Sequence, residues 1–325
     1  MKLAFFGSSE FSVYVLEELK AQGVLPSLII TTPDKPKGRK LVLTPTLTKV
    51  WAKKNNIAVI DPDTLRNHSL VAGQEISAKE FLANQNWDLF LVASYGKIIP
   101  KEIFDIPVHK TLNIHPSLLP KYRGASPIQS QILEDAEEIG VSIMQIDAEM
   151  DHGPIVAQKK TSPPFNLNTN VKIRETLLSL IRRGGLGGEV SGEIPNQKEL
   201  EKILATEGTK LFLQILPDWL EGKIKPIPQD DSQATFCKKI EKENGELQID
   251  LGNLPTREKA RQDLLKIKAF VEWPTTYFFT DRGGKWTRVI ITEATLNENG
   301  SLQILKVIPE GKKEMAFADF MRGQK

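Results

Sequence analysis

The feature that most limits what this chain can fold into is the alternation of short apolar runs with helix-period segments along its first half. Lys2-Leu3-Ala4-Phe5-Phe6 ends at Gly7, and Ser8-Ser9-Glu10 then opens a helical pattern through Leu19. That order reads as strand, tight turn and capped helix. Leu28-Ile29-Ile30 predicts the next strand. Trp87 to Ala93 predicts another, stopping at Ser94-Tyr95-Gly96, and Thr111 to His115 one more, which meets Pro116. Gly140 to Ile146 is a further β-rich run. Strands separated by helices pair in parallel, because each crossover returns the chain to the same end of the sheet. The expected fold is α/β, a Rossmann-like domain with a mostly parallel sheet and its ligands at the carboxyl ends of the strands.

The pattern then changes. Ile173 to Ile181 and Leu200 to Leu220 predict helices, with the Gly184-Gly185-Leu186-Gly187-Gly188 stretch between them. Gly222 to Asp231 is Pro-rich, polar and aperiodic, which predicts a linker. Beyond Ala234 come short β-like runs at Thr276 to Phe279, Val289 to Ile291 and Leu302 to Val307. Asp281-Arg282-Gly283-Gly284 and Asn297-Glu298-Asn299-Gly300 supply the turns between them, so a small OB-like β-barrel is expected. The 325 residues exceed what one core usually fills. The expected division is a catalytic domain over 1–220, a linker over 221–232 and the β-barrel over 233–325.

Several chemistries are excluded early. Cys237 is the single cysteine, so neither a disulfide framework nor a thiolate-rich zinc site is available. His68, His109, His115 and His152 do not form a helical metal motif, and no metal is expected. No run approaches the roughly 20 apolar residues of a membrane span. Met1 to Gly7 is too short an apolar run for a secretory signal, which makes the cytoplasm the expected compartment. Gly7-Ser8-Ser9 occupies a turn where α/β proteins often grip an anion, but the further glycines of a dinucleotide fingerprint are missing. There is no P-loop, and the Gly184 to Gly188 cluster follows a helix.

The chemically dense segment runs from Leu112 to Ile128. Asn113 and His115 are two apart on a predicted strand, so both side chains face the same way. Pro116, Pro120 and Pro127 stiffen the loop that follows. A neutral imidazole accepts a proton near pH 7, and a carboxamide donates to a developing oxyanion. That pair fits acyl transfer without a covalent intermediate. Asp151, in the turn Glu149-Met150-Asp151-His152-Gly153-Pro154, is a carboxylate that could orient His115 and stabilise its protonated form. It could equally cap the turn, and Asp147 competes for the same role. His152 adjoins Asp151 and is a candidate for perturbing it.

These motifs together resemble the folate-dependent formyltransferases. The resemblance rests on Asn113-Ile114-His115, Ser117-Leu118-Leu119-Pro120, Arg123-Gly124 with Pro127-Ile128, and Met150-Asp151-His152-Gly153, in that order and spacing. It implies transfer of a formyl group from 10-formyltetrahydrofolate to an amine, with Asn113, His115 and Asp151 as the catalytic set. It also implies that Ser117, Leu118, Leu119 and Pro120 line the folate pocket. The likeness extends along most of the chain, through Phe5 to Phe11, Pro33 to Leu41, Ser94 to Pro100, Asp231 to Thr235 and the stretch from Pro309 to Gly323. It points to the members that serve translation initiation, whose acceptor is initiator methionyl-tRNA. An amino-sugar nucleotide or another small amine is the alternative acceptor, and a non-catalytic RNA-binding protein is a third reading. A monomer is expected.

Charge distribution supports the RNA acceptor. The chain carries 43 Lys+Arg against 41 Asp+Glu, a formal +2, which argues against a uniformly basic coat. Thr31 to Ile60 alone holds seven basic residues against one acid: Lys35, Lys37, Arg39, Lys40, Lys49, Lys53 and Lys54 against Asp34. Such a cluster can contact several phosphates. Lys35, Lys37, Arg39 and Lys40 are the expected tRNA contacts, with Arg39 reading the acceptor end through its planar fork. The sequence departs from the family in the Gly-rich stretch between Ile181 and Leu200, in lacking the family's usual tryptophan in the region that follows Asp250, and in placing His152 beside Asp151.

Overall fold

Leu3, Ala4, Phe5 and Phe6 are each at most 1% exposed. Burial on both faces is what a strand inside a parallel sheet requires. The computed structural model describes residues 1–37, 41–66, 68–71, 74–161, 195–281 and 283–323. Seven strands build the central sheet: β1 (Leu3–Phe6), β2 (Leu28–Ile30), β3 (Ala58–Ile60), β4 (Leu89–Val92), β5 (Thr111–His115), β6 (Gly140–Gln145) and β7 (Ile155–Lys160). Their spatial order is β7-β6-β5-β4-β1-β2-β3. The strands β3, β2, β1, β4 and β5 pair in parallel, while β6 is antiparallel to both of its neighbours. The expected mostly parallel α/β sheet is therefore present.

Strand order reverses between β1 and β4, the topological switch point where α/β sheets open a crevice. Here Ser8 N donates to Ser94 O at 3.2 Å and Ser8 Oγ to Tyr95 O at 3.2 Å. Helix α1 (Glu10–Ala21) is capped by Ser9, whose side chain accepts from Ser12 N. Thr31, Thr46 and Thr48 complete the hydroxyl cluster, and Thr48 Oγ1 donates to Gly7 O at 2.9 Å. The turn after β1 thus spends its hydroxyls on the protein itself.

On one face of the sheet, Phe6 and Phe90 rings lie 5.3 Å apart, with Trp87 5.7 Å from Phe90. They belong to a buried cluster with Leu28, Ile30, Leu82 and Ile103. Phe90→Ala is expected to cost about 3–5 kcal/mol, because a buried aromatic leaves a cavity the sheet cannot close. Urea unfolding checks this, and a loss below about 1 kcal/mol would contradict it. Helix α2 (Gln197–Leu220), predicted from Leu200 onward, lies against the strands that matter for function. A Cβ on its Gly208 would stand 2.6 Å from Ile114 Cγ2 and 2.8 Å from Val141 Cγ2. The missing side chain is what lets the helix backbone approach β5 and β6.

Two compact units divide the described residues. The first takes residues 1–124, 138–161 and 201–236, and the second takes 125–137, 195–200 and 237–323. Residues 221–232, expected as a linker, belong to the first unit. The helix Pro127–Leu133, inside the stretch expected as the catalytic domain, belongs to the second. There Arg261 Nε donates to Asp135 Oδ2 at 2.7 Å, and its Nη2 bonds the same oxygen. Long-range bonds of this kind, not adjacency in the chain, decide which segments pack together.

Where the sequence led to an expected OB-like β-barrel, the second unit contains an antiparallel sheet of β8 (Thr276–Asp281), β9 (Trp286–Leu296), β10 (Leu302–Pro309) and β11 (Met315–Ala316), paired in that order. Helix α3 (Arg257–Ala269) buries Leu264, Leu265 and Ile267. Cys237 is half-buried in the two-residue strand Phe236–Cys237, outside the four-stranded sheet. The predicted helix over Ile173 to Ile181 and the Gly184 to Gly188 stretch lie outside the described residues. Among the described residues no helix is long and apolar enough to cross a membrane.

Candidate active site

Strand β5 delivers Asn113 and His115 to the carboxyl end of the sheet. Asn113 pairs with Val92 on one side and Met144 on the other, and His115 pairs with Ser142. The two-residue period puts both side chains on one face. Asn113 is half-buried, and among the described residues its carboxamide has no hydrogen-bond partner of its own. It is free to serve a ligand.

His115 is 4% exposed, and its Nε2 lies 3.1 Å from Tyr122 O. A carbonyl only accepts, so Nε2 carries the hydrogen and the neutral ring keeps its lone pair on Nδ1. Nδ1 faces Asp151 Oδ1 at 3.7 Å. A proton taken up at Nδ1 would enter the field of that carboxylate, while Nε2 keeps its bond to the Tyr122 carbonyl. The arrangement leaves the Nδ1 lone pair open, with Asp151 as the carboxylate facing it.

Asp151 holds its place under strain. Its φ is +52°, in the left-handed region that a non-glycine residue occupies at a cost of about 1–3 kcal/mol. Four bonds restrain the turn. Asp151 Oδ2 accepts from Gly124 N at 2.8 Å, and Gln145 N donates to Pro154 O at 2.9 Å. Gln229 Nε2 donates to Asp151 O at 2.9 Å and Gly153 O at 2.7 Å. Gly153 itself admits no side chain, since a Cβ there would stand 1.9 Å from Gln145 O.

Gln229 is aimed by a buried arginine. Arg123, 4% exposed, donates from Nε and Nη2 to Gln229 Oε1 at 3.0 and 2.9 Å, and from Nη2 to Asp231 Oδ1 at 2.8 Å. The guanidinium beside Asp231 holds that carboxyl below its ordinary range. Sequence reasoning assigned no role to Arg123, Gln229 or Asp231. Arg123-Gly124 and Asp231-Ser232-Gln233-Ala234-Thr235 were visible as motifs, but nothing local says that they meet across 108 positions. His152 Nδ1 lies 2.6 Å from Asp147 Oδ2, so Asp147, the rival carboxylate, is engaged there, while Asp151 faces His115.

Of the segment expected to line a folate pocket, Ser117 and Leu119 are buried, while Leu118 and Pro120 are half-buried. Ser117 Oγ donates to Lys121 O at 2.7 Å, and Leu119 is buried. Ser142 Oγ donates to Ser117 O at 2.6 Å and accepts from Leu119 N at 3.0 Å. Leu118 packs against Gly140, where a Cβ would stand 2.6 Å from Leu118 Cδ2. Ser117, Leu118 and Leu119 therefore shape the loop beyond His115 through packing and internal bonds, and Pro120 is half-buried beside them.

Of the expected tRNA contacts, Lys35 is exposed on a hairpin of strands Lys35–Lys37 and Val42–Thr44, and Lys37 pairs with Val42 through its backbone. Arg39 and Lys40 lie outside the described residues. Lys53 and Lys54 are exposed on the helix Leu47–Lys54. Lys49 corrects the charge count: its Nζ lies 2.8 Å from Asp34 and 2.5 Å from Asp61. Burial alone would lower the Lys49 pKa, but the two carboxylates outweigh it and hold the ammonium above its ordinary value. Its charge is spent inside the protein. Among the described residues, no group of His, Cys, Asp and Glu could hold a metal ion.

Residues 1–175 match the formyl transferase family. The chain is 30% identical to the methionyl-tRNA formyltransferase of Halalkalibacterium halodurans, covering 99% of this chain and 95% of that protein. It is 34% identical to the methionyl-tRNA formyltransferase of a Sulfurihydrogenibium species, covering 91% and 82%. Among solved structures it is similar to an N-formyltransferase from Helicobacter canadensis in complex with folinic acid and dTDP-3-aminofucose. That match has a TM-score of 0.56 and 16% identity, over 97% of this chain and all of the other. HypX from Aquifex aeolicus, in complex with tetrahydrofolic acid, gives 0.59 and 14%, over 100% of this chain and 47% of HypX. At such identities the structural likeness is one of fold.

Proposed function

Because the chain belongs to the formyl transferase family and, within it, to the methionyl-tRNA formyltransferases, we propose that it formylates the α-amine of initiator methionyl-tRNA, with 10-formyltetrahydrofolate as donor. The observation that carries the chemistry is the His115 tautomer: Nε2 bound to the Tyr122 carbonyl, and Nδ1 open toward Asp151. The neutral amine attacks the formyl carbon, forming a C–N bond and leaving an oxyanion on the tetrahedral centre. Asn113 donates from its unpartnered carboxamide to that oxyanion. His115 Nδ1 accepts the proton the amine loses, and Asp151 stabilises the imidazolium. Collapse of the intermediate breaks the bond to the folate nitrogen, which takes up a proton as it leaves. Holding the two reactants side by side supplies much of the rate.

Lys35, Lys37, Arg39 and Lys40 grip the acceptor end of the tRNA in this reading, and residues 233–325 support the rest of it. Charged initiator methionyl-tRNA should be formylated, while uncharged tRNA, elongator methionyl-tRNA and a panel of amino-sugar nucleotides should not. Arg39→Ala should raise the KM for tRNA about tenfold and flatten its salt dependence, leaving the KM for folate unchanged. Turnover of an amino sugar in preference to methionyl-tRNA would overturn the assignment.

A further inference from the structure

One residue beside the site is used by none of the chemistry above. His152 follows Asp151 directly. Its Nδ1 lies 2.6 Å from Asp147 Oδ2, and its Nε2 lies 3.6 Å from Asp231 Oδ2. Asp231 is the carboxylate that pairs with Arg123 through its other oxygen, and Arg123 holds the Gln229 that restrains the carbonyls of Asp151 and Gly153. The side chains form one continuous line: Asp147, His152, Asp231, Arg123, Gln229, and then the backbone of the strained turn.

We propose that protonated His152 is a positioning residue, a clasp that ties the turn bearing Asp151 to the Gln229–Asp231 strap and so adds a pH-dependent element to formyl transfer. The inference rests on the reading of Asp151 given under Proposed function. Only the imidazolium carries a hydrogen at both nitrogens, so only it can face two carboxylates at once. The neutral ring keeps the short bond to Asp147 and loses its attraction for Asp231.

The charged groups around His152 are Asp147 and Glu149 from its own turn and Asp231 from the strap, with Arg123 on the far side of Asp231. The hydrogen bond to Asp147, followed by the charges of Asp147, Glu149 and Asp231, raises the His152 pKa above its ordinary value against the opposing effect of burial. The sign follows from the raised value. The clasp is fully present below the ordinary imidazole pKa of about 6.5 and is lost as pH rises through the raised one.

The test compares wild type with His152→Gln, which can still bond Asp147 but cannot carry charge, in formylation of methionyl-tRNA across pH. Ionisation of the substrate amine acts on both proteins and cancels in their ratio. Wild-type kcat should exceed that of His152→Gln by about tenfold near pH 6, and the ratio should fall toward one as pH rises through the His152 midpoint. Imidazole NMR reads that midpoint directly, and it should drop in Asp147→Asn and in Asp231→Asn. A ratio independent of pH, or a midpoint unmoved by Asp231→Asn, would overturn the clasp. Wild type that transfers no formyl group at any pH would refute the proposed function instead, and the NMR midpoints would still decide whether the bridge exists.

Discussion

His115→Gln should lower kcat by about 10²- to 10⁴-fold, the range that a positioned proton acceptor contributes. KM for both substrates should change little, because the ring acts on a proton that moves only during the reaction. Tyr122 O, 3.1 Å from Nε2, leaves Nδ1 as the basic atom, and the 3.7 Å separation from Asp151 places a carboxylate where the new positive charge appears. Asn113→Ala removes the oxyanion donor and should cost about 10²- to 10³-fold. Single-turnover formylation with saturating folate separates these chemical losses from binding. Circular dichroism and urea midpoints close to those of wild type would confirm that the sheet survives. A His115→Gln enzyme within threefold of wild type would refute the assignment of Nδ1.

The second large effect is expected at Gly153. A methyl group there would stand 1.9 Å from the carbonyl oxygen of Gln145, which is backbone at the end of β6 and cannot rotate away. Gly153→Ala must therefore push the turn off the strand, breaking the 2.9 Å bond from Gln145 N to Pro154 O and loosening Gln229 Nε2 from the Gly153 carbonyl. Overpacking of this kind costs about 1–3 kcal/mol. The larger loss should be in catalysis, since Asp151 rides on the same turn and a displacement of about 1 Å can cost about 10²-fold. Urea unfolding and kcat/KM, measured on the same preparation, give both numbers. Wild-type values for both would show that the turn tolerates the displacement.

Asn113 and His115 are legible from a strand period of two, which is a property of adjacent residues. The glycine and proline after Asp151 mark the turn for the same reason. The Ser117 to Pro120 loop was legible as a rigid segment, but not the burial of Ser117 and Leu119 within it. There Ser142 and Gln158, which lie on β6 and β7, bond the loop from across the sheet. The basic cluster was legible as a charge count, yet Lys49 leaves it because Asp34 and Asp61 are brought to either side of its ammonium.

By itself the sequence determined the alternation of strands and helices, the antiparallel β structure after residue 233, and the placement of Asn113 and His115 on one face. Each depends on hydrophobic period or turn chemistry within a few residues. Only the tertiary structure decided that Asp151, and not Asp147, faces His115, and that the presumed linker supplies Gln229 and Asp231 to Arg123. Pattern within a segment cannot encode which segments meet. That is set by the packing of β5, β6 and the Gln229–Asp231 strap, whose hydrogen bonds reach across more than a hundred residues.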